Sequence, residues 1–299
     1  MAHSTIRCLA SFVFLFFLQF SLAPLTHSQV HMLKAGKGKK VSLRYVPDKG
    51  FKGTLKLDLN MGAEATMNGS SVQQGSLPTL RFMIRVKVVE TKTKGEFSIR
   101  VSVKSARILR LGKARSLPKQ GIDHLRKELP KLKGFALRTR FSNKGVLLGS
   151  KAEGKQVKSP LRFQLIQFLA QALQQVVIPL PDKPMGIGGK WYIIQAGKNM
   201  SVKLDSRTEY TLSAISMGRY KINIRLKQNA KPQTLTLGGH KLKLGSFKGN
   251  GRGVYHTGPK VVTPRASYSV ETTYVLSRNA KGKKEKVAFR IAYAFEMRP

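Results

Sequence analysis

Apolar and polar residues alternate along most of the chain beyond residue 40. Leu55-Lys56-Leu57-Asp58-Leu59-Asn60-Met61, Phe97-Ser98-Ile99-Arg100-Val101-Ser102-Val103-Lys104 and Tyr220-Lys221-Ile222-Asn223-Ile224-Arg225-Leu226-Lys227 are the clearest runs. A period of two is that of a half-buried antiparallel strand, because successive side chains point to opposite faces and only one face needs to be apolar. Leu235-Thr236-Leu237, Gly238-Gly239 and His240-Lys241-Leu242-Lys243-Leu244 predict a hairpin with glycines at its turn. Residues 268–276 alternate again, and Val287, Phe289, Ile291, Tyr293 and Phe295 then share one face. Their opposite face is Ala288, Arg290, Ala292, Ala294 and Glu296, small enough for something to pack against it.

Two segments break the rhythm. In residues 121–129, Ile122, Leu125 and Leu129 fall at i, i+3 and i+7, which predicts a short amphipathic helix ended near Pro130. The second helix is longer, with Ser159 as N-cap, Pro160 at the first helical position, and the body running from Leu161 to Val177 before Pro179 stops it. Gln164, Gln167, Gln171, Gln174 and Gln175 form its polar stripe, opposite Phe163, Ile166, Leu169, Ala170, Leu173 and Val177. Leu165, Phe168, Ala172 and Val176 widen the apolar side, and a face that wide belongs against a sheet.

The expected fold is therefore mainly β, a β-rich α+β arrangement of antiparallel sheets with one long central helix and one short one. Residues 29–158 form an N-terminal β-rich half, 159–179 the central helix, and 180–299 a C-terminal β-rich half in one compact unit with the first. Residues 62–79, 111–120, 143–158 and 248–265 read as linker-like. Pro47-Asp48-Lys49 and Pro181-Asp182-Lys183 each precede glycines and a strand, a hint of two related halves.

Residues 1–28 change the picture of where this fold resides. Arg7, an apolar run from Cys8 to Leu25, and small residues Thr26 and Ser28 flanking His27 form the three-part pattern of a secretory signal, cleaved after Ser28. An uncleaved N-terminal anchor is the alternative, and the run is just long enough for it. No cysteine follows Cys8, which suits an exported bacterial envelope protein with an ordinary hydrophobic core and no disulfide staples. Once the signal is removed, no transmembrane span is expected.

Charge then narrows the partners. Lys and Arg total 55 against 14 acidic residues, a net +41 over 299 residues, and Arg7 is the leader's only formal charge. Such a field attracts anionic polymers and lipids in a non-specific, salt-dependent way; a basic proteome or a salty habitat is the plain alternative. Lys56, Arg100, Lys104, Lys221, Arg225, Lys227, Lys248 and Arg252 are candidate anion-binding residues, most of them on polar faces of the predicted strands. Phe97 and Tyr220 fall on the apolar faces, so base stacking and specific nucleic-acid recognition are disfavoured.

Candidate chemistry is sparse. Leu180 to Trp191, LPDKPMGIGGKW, has the glycines and lysine of a phosphate-binding loop. Against G-x-x-x-x-G-K-[ST], however, it puts Pro184 where the first glycine belongs and Trp191 where the hydroxyl belongs. It is better read as a structural hinge from helix into strand, with Pro181 and Pro184 breaking the helix, Gly186, Gly188 and Gly189 turning the chain and Trp191 anchoring the next strand. Gly249-Asn250-Gly251-Arg252-Gly253 reads as a mobile hairpin tip, with Arg252 and Lys248 able to meet an anion. Most carboxylates sit beside Lys or Arg, which suits neither a general acid nor a raised base. His31, His124, His240 and His256 are far apart with no metal-ligand spacing. No catalytic residue, metal site or cofactor is assigned.

The LPDKPMGIGGKW segment resembles the L-P-x-x-P-V-G-x-G-A-x-W segment of uncharacterised secreted or lipid-anchored bacterial envelope proteins, with Met185 and Gly189 replacing the usual Val and Ala. The resemblance would cover nearly all of the mature chain, with only this segment specific, and it implies a secreted or envelope location and no particular activity. The overall arrangement is also similar to the lipoprotein-carrier half-barrels of the bacterial envelope, which hold acyl chains between sheet and helix. That similarity implies an apolar-ligand lining from Phe163, Ile166, Leu169, Leu173, Phe289 and Tyr293. The leading expectation is an exported non-catalytic protein binding an anionic or lipid-like envelope component. A purely structural or interaction module, and a hydrolase assembled from dispersed residues such as His124, His240 or His256, are the rivals.

Overall fold

A computed structural model describes residues 29–67, 70–93, 95–111, 119–153, 159–174, 176–199, 202–237, 240–280 and 283–299. The fold is mainly β and antiparallel. The expected secretory signal, the stretch 112–118 and the hairpin glycines Gly238 and Gly239 lie outside the described residues.

One 14-stranded sheet dominates. In the C-terminal part it comprises β10 (Lys190–Asn199), β11 (Val202–Ser216), β12 (Arg219–Ala230), β14 (His240–Thr257), β15 (Arg265–Ala280) and β16 (Lys283–Arg298). The N-terminal part supplies β3 (Lys52–Met67), β5 (Thr79–Thr91), β6 (Phe97–Arg110), β7 (Ala136–Phe141) and β8 (Leu147–Glu153). The two parts join where β16 pairs with β3, while β1 (Val30–Lys34) crosses to the other end and pairs with β10. Strand order runs from β1 to β8 without closing; β4 (Ser70–Ser76) and β13 (Gln233–Leu237) pair with β3 and β14 off this path. A separate two-stranded piece joins β2 (Lys37–Val41) to β9 (Met185–Ile187).

The alternation seen in the sequence sets the two faces. Leu57, Phe82, Ile84, Val101, Trp191, Ile222, Tyr274, Phe289 and Tyr293 are buried on the inner face in one continuous core. Phe141 of β7 and Trp191 of β10 belong to that same core although they come from opposite ends of the strand order, so the sheet curls around it. Each fully buried Leu or Phe contributes about 1.5–3 kcal/mol, and that sum selects the register, since a one-residue slip would turn every apolar side chain outward.

Gly249, Gly251 and Gly253, expected at a mobile tip, instead occupy successive inward positions in the middle of β14. Tyr268 on the neighbouring strand lies over the bare backbone of two of them: a Cβ on Gly253 would sit 2.5 Å from its ring, and one on Gly251 3.0 Å from its hydroxyl. A glycine under a cross-strand aromatic ring lets a large side chain lie flat on the sheet. Two other linker-like stretches are also partly strand: in 62–79 β3 continues to Met67 and β4 follows, and in 143–158 β8 occupies Leu147–Glu153.

The central helix, α2, spans Pro160–Gln174, with α1 at Lys119–Glu128 running into a 3-10 turn at Leu129–Leu132. The Ser159 hydroxyl caps α2 by accepting a bond from the Arg162 amide at 3.4 Å. Arg162 in turn donates to Glu128 at 3.0 Å, and Lys131 does so at 2.6 Å. Lys131 first, with Arg162, holds the Glu128 carboxyl down at about 2 against its ordinary 4.5. The helix-to-helix link thus stabilises the fold above pH 4.5 and is lost as pH falls toward 2.

Leu165, Leu169, Ala172 and Leu173 are the buried face of α2. Phe163, expected on that face, is 49% exposed. It lies two positions from Leu165, about 200° around a helix of 3.6 residues per turn, so the two cannot share one narrow contact. Helical structure is assigned only to Gln174, short of the expected Val177, and Val176 to Pro181 run on as a buried segment beneath the sheet.

Buried non-helical backbone must find partners. Three aromatic tips supply them here. The Trp191 indole donates to the Pro179 carbonyl at 2.9 Å, the Tyr45 hydroxyl accepts from the Ile178 amide at 3.2 Å, and the Tyr255 hydroxyl donates to the Val176 carbonyl. Tyr45 also bonds Tyr255 and Thr257, and burial pushes both phenols well above their ordinary value, so they stay neutral hydroxyls. Arg44 donates to the Pro181 and Asp182 carbonyls at 2.8 Å each. The Lys144 carbonyl accepts from the Leu180 amide at 2.8 Å. Next to Lys144, Gly145 has φ +74, and any Cβ there would collide with the Ile178 carbonyl. Tyr255→Phe should therefore lower unfolding free energy by about 1–3 kcal/mol in urea titration, because it leaves the buried Val176 carbonyl without its donor. An unchanged midpoint would contradict this account.

Candidate anion-binding groove

The LPDKPMGIGGKW segment folds as a connection, not as a phosphate loop. Pro181 is buried and Pro184 exposed at its start; β9 then pairs with β2, and Gly188 turns the chain at φ +78. Gly186 and Gly189 are buried against β2 and its approach, and Trp191 opens β10 fully buried, stacked on Tyr210 at 5.4 Å. The anticipated apolar lining also divides. Leu169, Leu173, Phe289 and Tyr293 are core side chains and Ile166 packs against them, while Phe163 points away.

The outer face is different. Two adjoining depressions, about 840 and 710 Å³, lie across β12, β14, β15, β16 and β3 and share Asn60, Arg225, Arg252, Ser269 and Ala294. Strand register explains the floor. Arg225 pairs with Arg252, Arg252 with Ser269, Ser269 with Ala294, and Ala294 with Asn60, so a row that starts with two guanidiniums continues over short side chains. The next row runs Lys227, Asn250, Glu271, Ala292 and Gly62. The small outward residues of β16 noted in the sequence thus form the bottom of a groove. Leu77, Thr79 and Leu111 border it on the β5 side, where the Thr79 hydroxyl donates to Asn60 at 2.5 Å.

Electrostatics sharpen the cationic wall. Most carboxylates are already matched: Asp58 with Arg81 at 2.6 Å, Glu271 with Arg290 at 2.8 Å, Glu209 with Arg207 at 3.0 Å, and Glu296 with Arg298. Hydrogen bonding from Arg81 lowers the Asp58 carboxyl, and hydrogen bonding from Arg298 lowers that of Glu296. Among the described residues, Arg225 and Arg252 have no ion pair: they sit directly opposite one another, and Glu209, in register with Arg225 on its other side, is held by Arg207 at 3.0 Å.

Five anticipated anion-binding residues share this face, and three of them, Arg225, Lys227 and Arg252, line the groove. Lys221, Arg225 and Lys227 point outward from β12, and Lys248 and Arg252 from β14, with no carboxylate on the outward positions between them. The other three lie elsewhere. Lys56 is on β3, and Arg100 and Lys104 are on β6, five strands or about 24 Å of sheet from β14. Arg100 is moreover held by Glu153 at 2.7 Å. His256, which no sequence motif marked, lies on the outward face of β14 in line with Arg252. Its signal was the even, four-residue spacing from Arg252, visible only once the glycine-rich stretch is read as strand.

Among the described residues there is no group of three or more His, Cys, Asp or Glu side chains able to hold a metal ion. No described helix is long and apolar enough to cross a membrane.

Like charges directly opposite on neighbouring strands destabilise a sheet. Arg252→Gln should therefore raise Tm by about 1–3 °C at low salt, with the gain shrinking as salt screens the pair. A lower Tm at low salt would mean that the pair is not repulsive.

Residues 143–260 match a family described as a family of unknown function, DUF6263. That span covers α2, the buried segment after it and the strands carrying Arg225 and Arg252, and amounts to less than half of the chain. No curated protein matches the chain.

Proposed function

We propose that this is an exported, non-catalytic protein of the bacterial envelope that binds anionic polymers or lipid head groups along the outer groove of its sheet. The observation that carries the reading is the Arg225 and Arg252 pair, opposed without an intervening carboxylate at the edge of a groove floored by Ser269, Ala292 and Ala294. An arrangement that costs stability in the free protein is relieved when an anion lies between the charges. Lys227 and Lys248 extend the cationic track along the same two strands.

The interior supports this choice of face. Of the residues that would line an acyl chain there, Leu169, Leu173, Phe289 and Tyr293 are packed in the core, and Val176 to Pro181 fill the space beneath the sheet. The paired, downward-shifted carboxylates and the separation of His124 on α1 from His256 on β14 favour binding over hydrolysis.

The test is binding of inorganic polyphosphate as a function of sodium chloride. The logarithm of the affinity should fall linearly with log salt, and Arg225→Gln with Arg252→Gln should remove about two ion contacts' worth of slope. Arg100→Gln should leave slope and affinity unchanged. Salt-independent binding, or equal losses from all three positions, would overturn the reading.

A further inference from the structure

A third depression, about 430 Å³, lies beyond the groove on the same face and is lined by Lys221, Val254, His256, Arg265, Ser267 and Glu296. Its three basic residues form one register row: Lys221 on β12 pairs with His256 on β14, and His256 pairs with Arg265 on β15. We propose that Lys221, His256 and Arg265 form a separate oxyanion subsite that takes one sulfate or phosphate monoester group.

The charges around the imidazole favour an anion from every side but one. Lys221 faces it from β12 and Arg265 from β15; neither has an ion pair among the described residues. The exception is Glu296 on β16, and its carboxylate is engaged by the Arg298 guanidinium through both oxygens. Partial burial, then Lys221 and Arg265, hold the free His256 imidazole below its ordinary value. An oxyanion lodged in the row reverses that balance, because it neutralises the flanking cations and accepts a bond from the imidazolium. Binding is then coupled to uptake of one proton by His256, and affinity rises as pH falls through its titration.

The subsite also sets a spacing. Lys221 and Arg225, like His256 and Arg252, are four residues apart along one strand, about 13 Å, with Asn223 and Val254 at the outward positions between. A ligand using both places carries anionic groups at roughly that separation. This spacing rests on the proposed polyanion groove; the subsite itself does not, and the experiment uses a probe too small to span the two.

The imidazole resonances are titrated by NMR in sodium chloride and in sodium sulfate at matched ionic strength, with His256→Gln identifying the signal. Sulfate keeps its charge across the range, so any pH dependence belongs to the protein. Expected is a His256 titration below the ordinary range in chloride and about one pH unit higher in sulfate, equivalent to about tenfold tighter sulfate binding to the protonated form. His256→Gln should abolish the pH dependence and keep part of the affinity through Lys221 and Arg265. Lys221→Gln should raise the His256 titration in chloride and weaken the sulfate response. A His256 titration that is the same in sulfate and chloride would overturn the subsite. If the Arg225 and Arg252 double variant loses polyphosphate binding while sulfate still moves His256, both sites stand independently. If polyphosphate binding ignores that double variant while sulfate still moves His256, the groove fails and the subsite stands.

Discussion

The structure depends on how the backbone from Val176 to Pro181 is satisfied. A chain that leaves a helix and runs unpaired beneath a sheet carries amides and carbonyls that cost about 1–3 kcal/mol each when left without partners. Here the partners are the polar tips of Trp191, Tyr45 and Tyr255, side chains whose rings also fill the core. The three residues come from β10, from the segment before β3 and from β14, so one short stretch of backbone fixes distant parts of the sheet relative to each other. Gly145 and Arg44 close the same segment from its other side. An apolar core alone would not select one path for this chain; the hydrogen bonds do.

That closure divides labour between the faces. Inside, aromatic rings stack in series, as Phe247, Tyr274 and Phe289 do, with contacts of 6.2 and 4.9 Å. Outside, the long strands carry alternating positions with no packing duty, and their identity is set by charge. Carboxylates and guanidiniums are matched on β3, β5, β15 and β16, whereas the outward face of β12 and β14 is cationic without acids. A basic composition spread evenly would have left no such contrast.

Much of this was legible in the sequence. Alternation in residues 55–61, 97–104 and 220–227 gave strands with the right buried face, Leu235–Leu244 the hairpin, and Ser159-Pro160 the helix start. Trp191 was recognisable as an anchor, and the small outward residues of β16 as a surface open to a partner. Three things were hidden. Gly249, Gly251 and Gly253 look like a loop because glycine lacks β propensity, and only cross-strand neighbours explain them, Tyr268 over Gly251 and Gly253 and the Gln228 side chain beside Gly249. Phe163 looked buried because a wide apolar stripe does not say which part of it touches the sheet. Arg225 and Arg252 become a pair, and Arg100 drops out, only when strand order is known; the sequence places all three on equivalent polar faces.

The central claim is that the interior is closed and recognition belongs to the outer face of β12 and β14. A crystal structure with a short inorganic polyphosphate chain tests it directly. The account predicts phosphate density bridging Arg225 and Arg252 above Ser269 and Ala294, with Val176 to Pro181 unmoved and still bonded to Trp191, Tyr45 and Tyr255. Ligand density beneath the sheet with that segment displaced, or an empty outer groove at saturating ligand, would contradict it.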